Sequence, residues 1–115
     1  MKTCTSVWLA LALLVGVPAQ FALAAGGDPA KGKAVYEQVC VTCHGAQGKG
    51  DGPAGMMMTP RPADFTSAKI KGKSDGELLK SIQDGRPPTT MPAFKGQLSE
   101  QQISDVLAYA RSLGK

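Results

Sequence analysis

Two cysteines three positions apart, with the chain's only histidine directly behind the second, form the run Cys40-Val41-Thr42-Cys43-His44. On a helix the two thiols stand about one turn apart on one side. No disulfide framework of the kind that staples small secreted folds can be drawn from a single pair at this spacing. A structural zinc site wants four ligands, whereas residues 25 to 115 hold two cysteines and one histidine. A thioredoxin-like pair wants a strand before the motif and a βαβ setting, and no alternating strand pattern occurs. The same stretch is short of core material. Its 32 apolar residues include ten Ala and two Cys, which leaves 20 sizeable side chains. That is marginal for a domain of roughly 90 residues, so the fold needs a staple or a buried group of another kind.

The remaining apolar residues are crowded at the start, where residues 1 to 24 hold 17 of the set and lift the whole-chain figure to 43%. Lys2 gives a positive beginning, Val7 to Val17 is an apolar run broken only by Gly16, and Pro18 precedes the small residues Ala22-Leu23-Ala24-Ala25. This order predicts a secretory signal peptide over residues 1–24, cleaved after Ala24 or, alternatively, Ala25. The competing reading, a membrane anchor, has too short an apolar run to span comfortably. Cys4 precedes the run and leaves with the leader. Residues 25–115 then form one small soluble domain with 12 basic and 9 acidic residues, a net charge of +3. A multi-domain machine and a polytopic membrane protein are both excluded.

Three helices are predicted from their caps and periodicity. The first covers Pro29 to His44, with Asp28 as N-cap and Pro29 at the first helical position. The second covers Asp75 to Asp84, where Ser74 and Glu77 have capping-box spacing and Gly85 offers a stop. The third covers Glu100 to Leu113, with Ser99 and Gln102 as a second box and Ile103, Val106, Leu107, Ala110 and Leu113 as the apolar stripe. Between them, Gly45 to Pro62 and Arg86 to Lys95 are rich in glycine and proline. Loops this long are unusual inside a compact domain unless they have a function, and wrapping a large flat cofactor is one. The expected fold is all-α, small, with about three main helices and long loops.

In an exported chain the C-x-x-C-H run has a specific chemical reading. Each thiol can add to one vinyl group of a haem, and His44 can bring its imidazole beneath the iron. One covalently attached haem c is therefore expected, held by Cys40 and Cys43. A second histidine ligand from the same molecule is impossible, because His44 has no counterpart. Of the methionines in residues 25–115, Met91 in Thr90-Met91-Pro92-Ala93-Phe94 is the expected distal ligand, with Pro92 stiffening the segment and Phe94 packing on the macrocycle edge. Met56, Met57 and Met58 lie close in sequence to the proximal side and are expected to pack around the haem as apolar side chains. Arg61 is a candidate partner for a haem propionate, with an exposed loop arginine as the equal alternative. Lys69, Lys71 and Lys73 form a positive run in a solvated loop that could also steer an acidic partner. Asp51 and Asp64 are isolated loop acids, with no paired-carboxylate arrangement for acid–base catalysis.

These elements together resemble the class I c-type cytochromes of the bacterial monohaem type. The resemblance runs from Gly32-x-x-x-Tyr36 into Cys40-Val41-Thr42-Cys43-His44-Gly45, through Gly48-x-Gly50-Asp51-Gly52-Pro53, to Gly85, Met91-Pro92-Ala93-Phe94 and a last helix containing Leu107-Ala108-Tyr109. It implies the small cytochrome c fold, with the first and last helices crossing where Gly32 and Tyr36 meet Leu107 to Ala110. It also implies a proline carbonyl that accepts the proximal imidazole N–H, for which Pro53 and Pro60 both remain open. Functionally it implies a periplasmic one-electron carrier, monomeric and not an enzyme, whose His44/Met91-ligated haem c cycles between ferric and ferrous states. Its partners would be donor and acceptor redox proteins with acidic docking surfaces. The alternatives are a haem subunit of a dehydrogenase or oxidase complex, and a haem enzyme or gas sensor with a displaceable Met91.

Overall fold

Asp28 opens the first helix by accepting the backbone N–H of Ala30 at 2.8 Å, with Lys31 N–H at 3.4 Å. The computed structural model describes residues 26 to 115, so the expected leader lies outside the described residues. In chain order these form α1 (Pro29–Val39), α2 (Val41–His44), a 3-10 turn (Gly55–Met57), α3 (Ala68–Lys71), α4 (Asp75–Asp84) and α5 (Glu100–Leu113). No strand occurs among the described residues; a bridge between Lys95 and Leu98 stands alone. Both capping boxes form. Ser74 and Ser99 each accept the N–H three residues on, and Glu77 and Gln102 reach back to the cap N–H at 2.8 and 2.9 Å.

The expected first helix is two. Cys40 leaves the helical path (φ −112°, ψ −36°) while its N–H still donates to the Tyr36 carbonyl, and its own carbonyl accepts the His44 N–H at 2.9 Å. It therefore closes α1 and caps α2. The turn brings Gly45, just past α2, back over α1, where the Tyr36 hydroxyl donates to the Gly45 carbonyl at 2.6 Å. The single-turn α3, capped by Ser67, falls in a stretch read from sequence as loop.

α1 crosses α5 over a core of Val35, Tyr36 and Val106, with Ile103 also buried. Gly32 permits the approach: a Cβ there would collide with the Asp105 carbonyl. Gly32 thus meets the Asp105–Val106 backbone, just before the expected Leu107 to Ala110, while Tyr36 meets Tyr109 edge-on at 5.2 Å between ring centres. Asp105 is buried at 3% exposure. Its Oδ1 accepts from the Asp28 N–H at 2.7 Å and from Gln101 Nε2 at 2.9 Å, which satisfies a group that burial alone would penalise. α4 lies against α5 and ends at Gly85, whose φ of +70° suits glycine. A side chain there would strike the backbone of Met91 to Ala93, so the end of α4 is seated directly on the Met91 segment.

Candidate cofactor site

One cavity of about 430 Å³ runs between α1–α2, α4 and the two long loops, and Cys40, Cys43, His44 and Met91 all line it. Both cysteines are free and half-buried. Burial, with Cys43 beside it, pushes the Cys40 thiol up to about 11. Reactive disulfide-exchanging cysteines have lowered pKa values, so this environment disfavours a dithiol redox role and leaves Cys40 a neutral thiol.

His44 is held from two directions. Its ring stacks on Phe65, 4.8 Å between centres with 23° between planes. Its Nδ1 stands 3.3 Å from the Ala63 carbonyl. A carbonyl can only accept, so Nδ1 carries the hydrogen and Nε2 keeps its lone pair. Burial holds the imidazole pKa below its usual value, opposed by the bond to Ala63, which favours the neutral ring a metal requires. The carbonyl expected here was that of Pro53 or Pro60. Pro53 is exposed and does not line the cavity, and Pro60 lines it without meeting Nδ1. The Pro60-Arg61-Pro62 run delivers instead the next carbonyl along, Ala63.

Met91 is half-buried, and its carbonyl accepts the Arg86 N–H at 3.2 Å across the loop. The three consecutive methionines do not act as one group. Met56 and Met57 are exposed, at 51% and 88%, which corrects the expectation that they pack inward. Met58 is half-buried and lines the cavity. Phe94, expected at the macrocycle edge, is buried and lines the cavity too. Arg61 stands exposed at the rim, as do Lys69 and Lys71. Sequence reading missed Arg111. Its guanidinium donates to Asp75 Oδ1 at 2.9 and 3.0 Å and to the carbonyls of Ile70 and Lys73, tying α3 and the start of α4 to α5 beside the cavity.

The residues fit a haem. Two thiols, an imidazole with only Nε2 free, and a thioether share one cavity. α4 contains no buried residue, and its Leu78 and Ile82 line the same space.

The cytochrome c family model matches residues 29–114. The chain belongs to the cytochrome c family. A cytochrome c domain carries covalently bound haem c and serves electron transport, and both cysteines of the attachment motif are present here. The chain is 35% identical over 89 residues to the cbb3-type cytochrome c oxidase subunit FixP of Bradyrhizobium diazoefficiens, covering 77% of this chain and 29% of that subunit. It is also 35% identical over 94 residues to cytochrome c-554(547) of Halothiobacillus neapolitanus, covering 76% of this chain and 98% of the relative. Among solved structures it resembles the KustC0563 c-type cytochrome, with a TM-score of 0.62 at 26% identity over 73% of this chain and 98% of that one. This cytochrome c thus spans under a third of the oxidase subunits it matches. Among the described residues no helix is long and apolar enough to cross a membrane.

Proposed function

We propose that this cytochrome c is an exported, periplasmic one-electron carrier with one haem c attached at Cys40 and Cys43 and ligated by His44 and Met91. The observation that supports it most is a single cavity lined by both thiols, the Met91 thioether and an imidazole whose Nδ1 is already engaged. When bound, the haem supplies a one-electron couple between ferric and ferrous iron, and a thioether ligand favours the ferrous side. Cys40 and Cys43 fix the group through two thioether bonds. Ala63 and Phe65 orient His44, so that Nε2 alone is offered to the metal. Arg61 at the rim is placed to pair with a propionate. His44 and Met91 together would hold the metal from this chain and leave no position for a substrate, and catalysis forms no part of the proposed role.

Charge supports docking with an acidic partner at this rim. Arg61, Lys69, Lys71 and Arg86 line the cavity against the one acid Asp64, whereas the lining Lys73 and Arg111 are paired with Glu77 and Asp75, and residues 25–115 carry a net charge of only +3. The positive charge is therefore concentrated here, where it can steer encounter.

Redox-titrated absorption spectroscopy of the purified holoprotein tests the reading. The oxidised protein should show the weak far-red methionine-to-iron band, and Met91→Ala should abolish it and lower the potential. Absence of the band at neutral pH, with ready carbon monoxide binding by the reduced protein, would favour a haem enzyme or gas sensor. The match to FixP favours a second reading, a haem-bearing unit of a larger oxidase. Purification as a free monomer without a co-purifying enzyme would count against it.

A further inference from the structure

Met58 has a bonding partner that the ligand set does not explain. Its Sδ accepts the Thr90 hydroxyl at 3.1 Å, across 32 residues of sequence. Thr90 immediately precedes Met91. We propose that Met58 is a positioning residue for Met91, its sulfur tying the distal-ligand loop to the segment that carries His44; this rests on Met91 being the distal ligand.

The hydrogen bonds on either side give the reason. The Met91 loop is fastened to α4 and its end: Arg86 N–H donates to the Met91 carbonyl, Phe94 N–H to Ile82 and Lys95 N–H to Gln83, at 3.0 to 3.2 Å. Those bonds hold the loop to one wall of the cavity. On the opposite side, the segment leading to Met58 is hooked onto α2. Gly52 N–H donates to the Cys43 carbonyl at 3.2 Å and Ala54 N–H to the Thr42 carbonyl at 3.0 Å. Gly55 sits so close to the Cys43 carbonyl that a Cβ there would clash with it. Met58 then leaves the 3-10 turn extended, at φ −91° and ψ 147°. The Thr90–Met58 bond thus links α2, through residues 52–58, to Thr90 and Met91. It also separates Met58 from its neighbours, since Met56 and Met57 are exposed and do not line the cavity.

A thioether is a weak acceptor, so the effect on Met91 should be modest and specific. The test follows the far-red band of the oxidised holoprotein as pH is raised until Met91 is displaced. Met58→Leu and Thr90→Val keep side-chain size while removing the acceptor or the donor. Each should make displacement easier by about fivefold, seen as a lower midpoint pH. The double variant should be no worse than either single one, and Thr90→Ser should restore most of the parental midpoint. An unmoved midpoint in either single variant would overturn the tie, as would a double variant whose shift is the sum of the two. Failure of the underlying ligand reading looks different. The band would then be missing from the parent protein, or would survive in Met91→Ala, and either result overturns the proposal with it.

Discussion

Tyr36 shows how far a single hydroxyl reaches into the cofactor site. The side chain is 1% exposed, and its O–H donates to Gly45, the residue after His44. Tyr36→Phe would remove one of two donors to the buried Gly45 carbonyl, which keeps the Gly48 N–H at 3.1 Å, an expected loss of about 0.5–1.5 kcal/mol in chemical denaturation. Burial also raises the phenol pKa above its ordinary value. The unfolded chain releases that proton near pH 10 while the folded chain keeps it, so the folded state binds more protons and stability falls as pH rises past about 10. Urea midpoints should therefore drop more steeply between about pH 9 and about pH 11 in the parent than in Tyr36→Phe; equal slopes would sink the assignment. Cys40, Cys43, His44 and Met91 can be picked out from sequence because the proposed chemistry lies in their side chains. The roles of Gly45 and Ala63 are not, because they act through backbone carbonyls that every residue has.

At the scale of helices, the crossing of α1 and α5 depends on an absent side chain. A Cβ at Gly32 would overlap the Asp105 carbonyl and its carbon, both rigid backbone. Gly32→Ala must push the helices apart and should cost roughly 1–3 kcal/mol or more. Gly76, in the first turn of α4, has only Ser74 Oγ near, at 3.9 Å. Gly76→Ala should be neutral or stabilising by up to about 1 kcal/mol. Thermal melts of the two variants side by side should move in opposite senses, and a common shift would contradict the packing argument. α4 and α5 were legible to the residue because a capping box is local: Ser74 and Glu77, or Ser99 and Gln102, are read within one turn. α3 was not, since a single turn has no hydrophobic period to detect. The break at Cys40 was missed because its partner, the Tyr36–Gly45 bond, spans nine residues and leaves no periodic signal. The Arg111 links to Asp75, Ile70 and Lys73 cross 36 to 41 residues, beyond any local pattern.

At the scale of the whole fold, six hydrophobic residues among the described residues are buried: Val35, Tyr36, Phe94, Ile103, Val106 and Leu107. Leu78 and Ile82 of α4 line the cavity, and Ile82 also packs against the core. The shortage of sizeable apolar side chains visible in the sequence is therefore local, and its place is the space beside the C-x-x-C-H run. Folding must offset a conformational entropy cost of about 1–2 kcal/mol per residue, and a domain of this size with an open apolar face has little margin. A group that binds the folded state alone adds its binding free energy to stability, and a covalent link keeps it at the site whatever the concentration. Cys40→Ser with Cys43→Ser removes both attachment points. The resulting haem-free chain should show a broad, weakly cooperative melt, with helical far-ultraviolet signal partly kept and the near-ultraviolet aromatic signal of Tyr36 and Tyr109 lost. Met91→Ala, which removes the proposed distal ligand and leaves both attachment cysteines, should keep a sharp transition. If the double variant melted without haem as sharply as the holoprotein and within a few degrees of it, the cofactor would not be the missing part of the core, and α4 would have to be stabilised by other means.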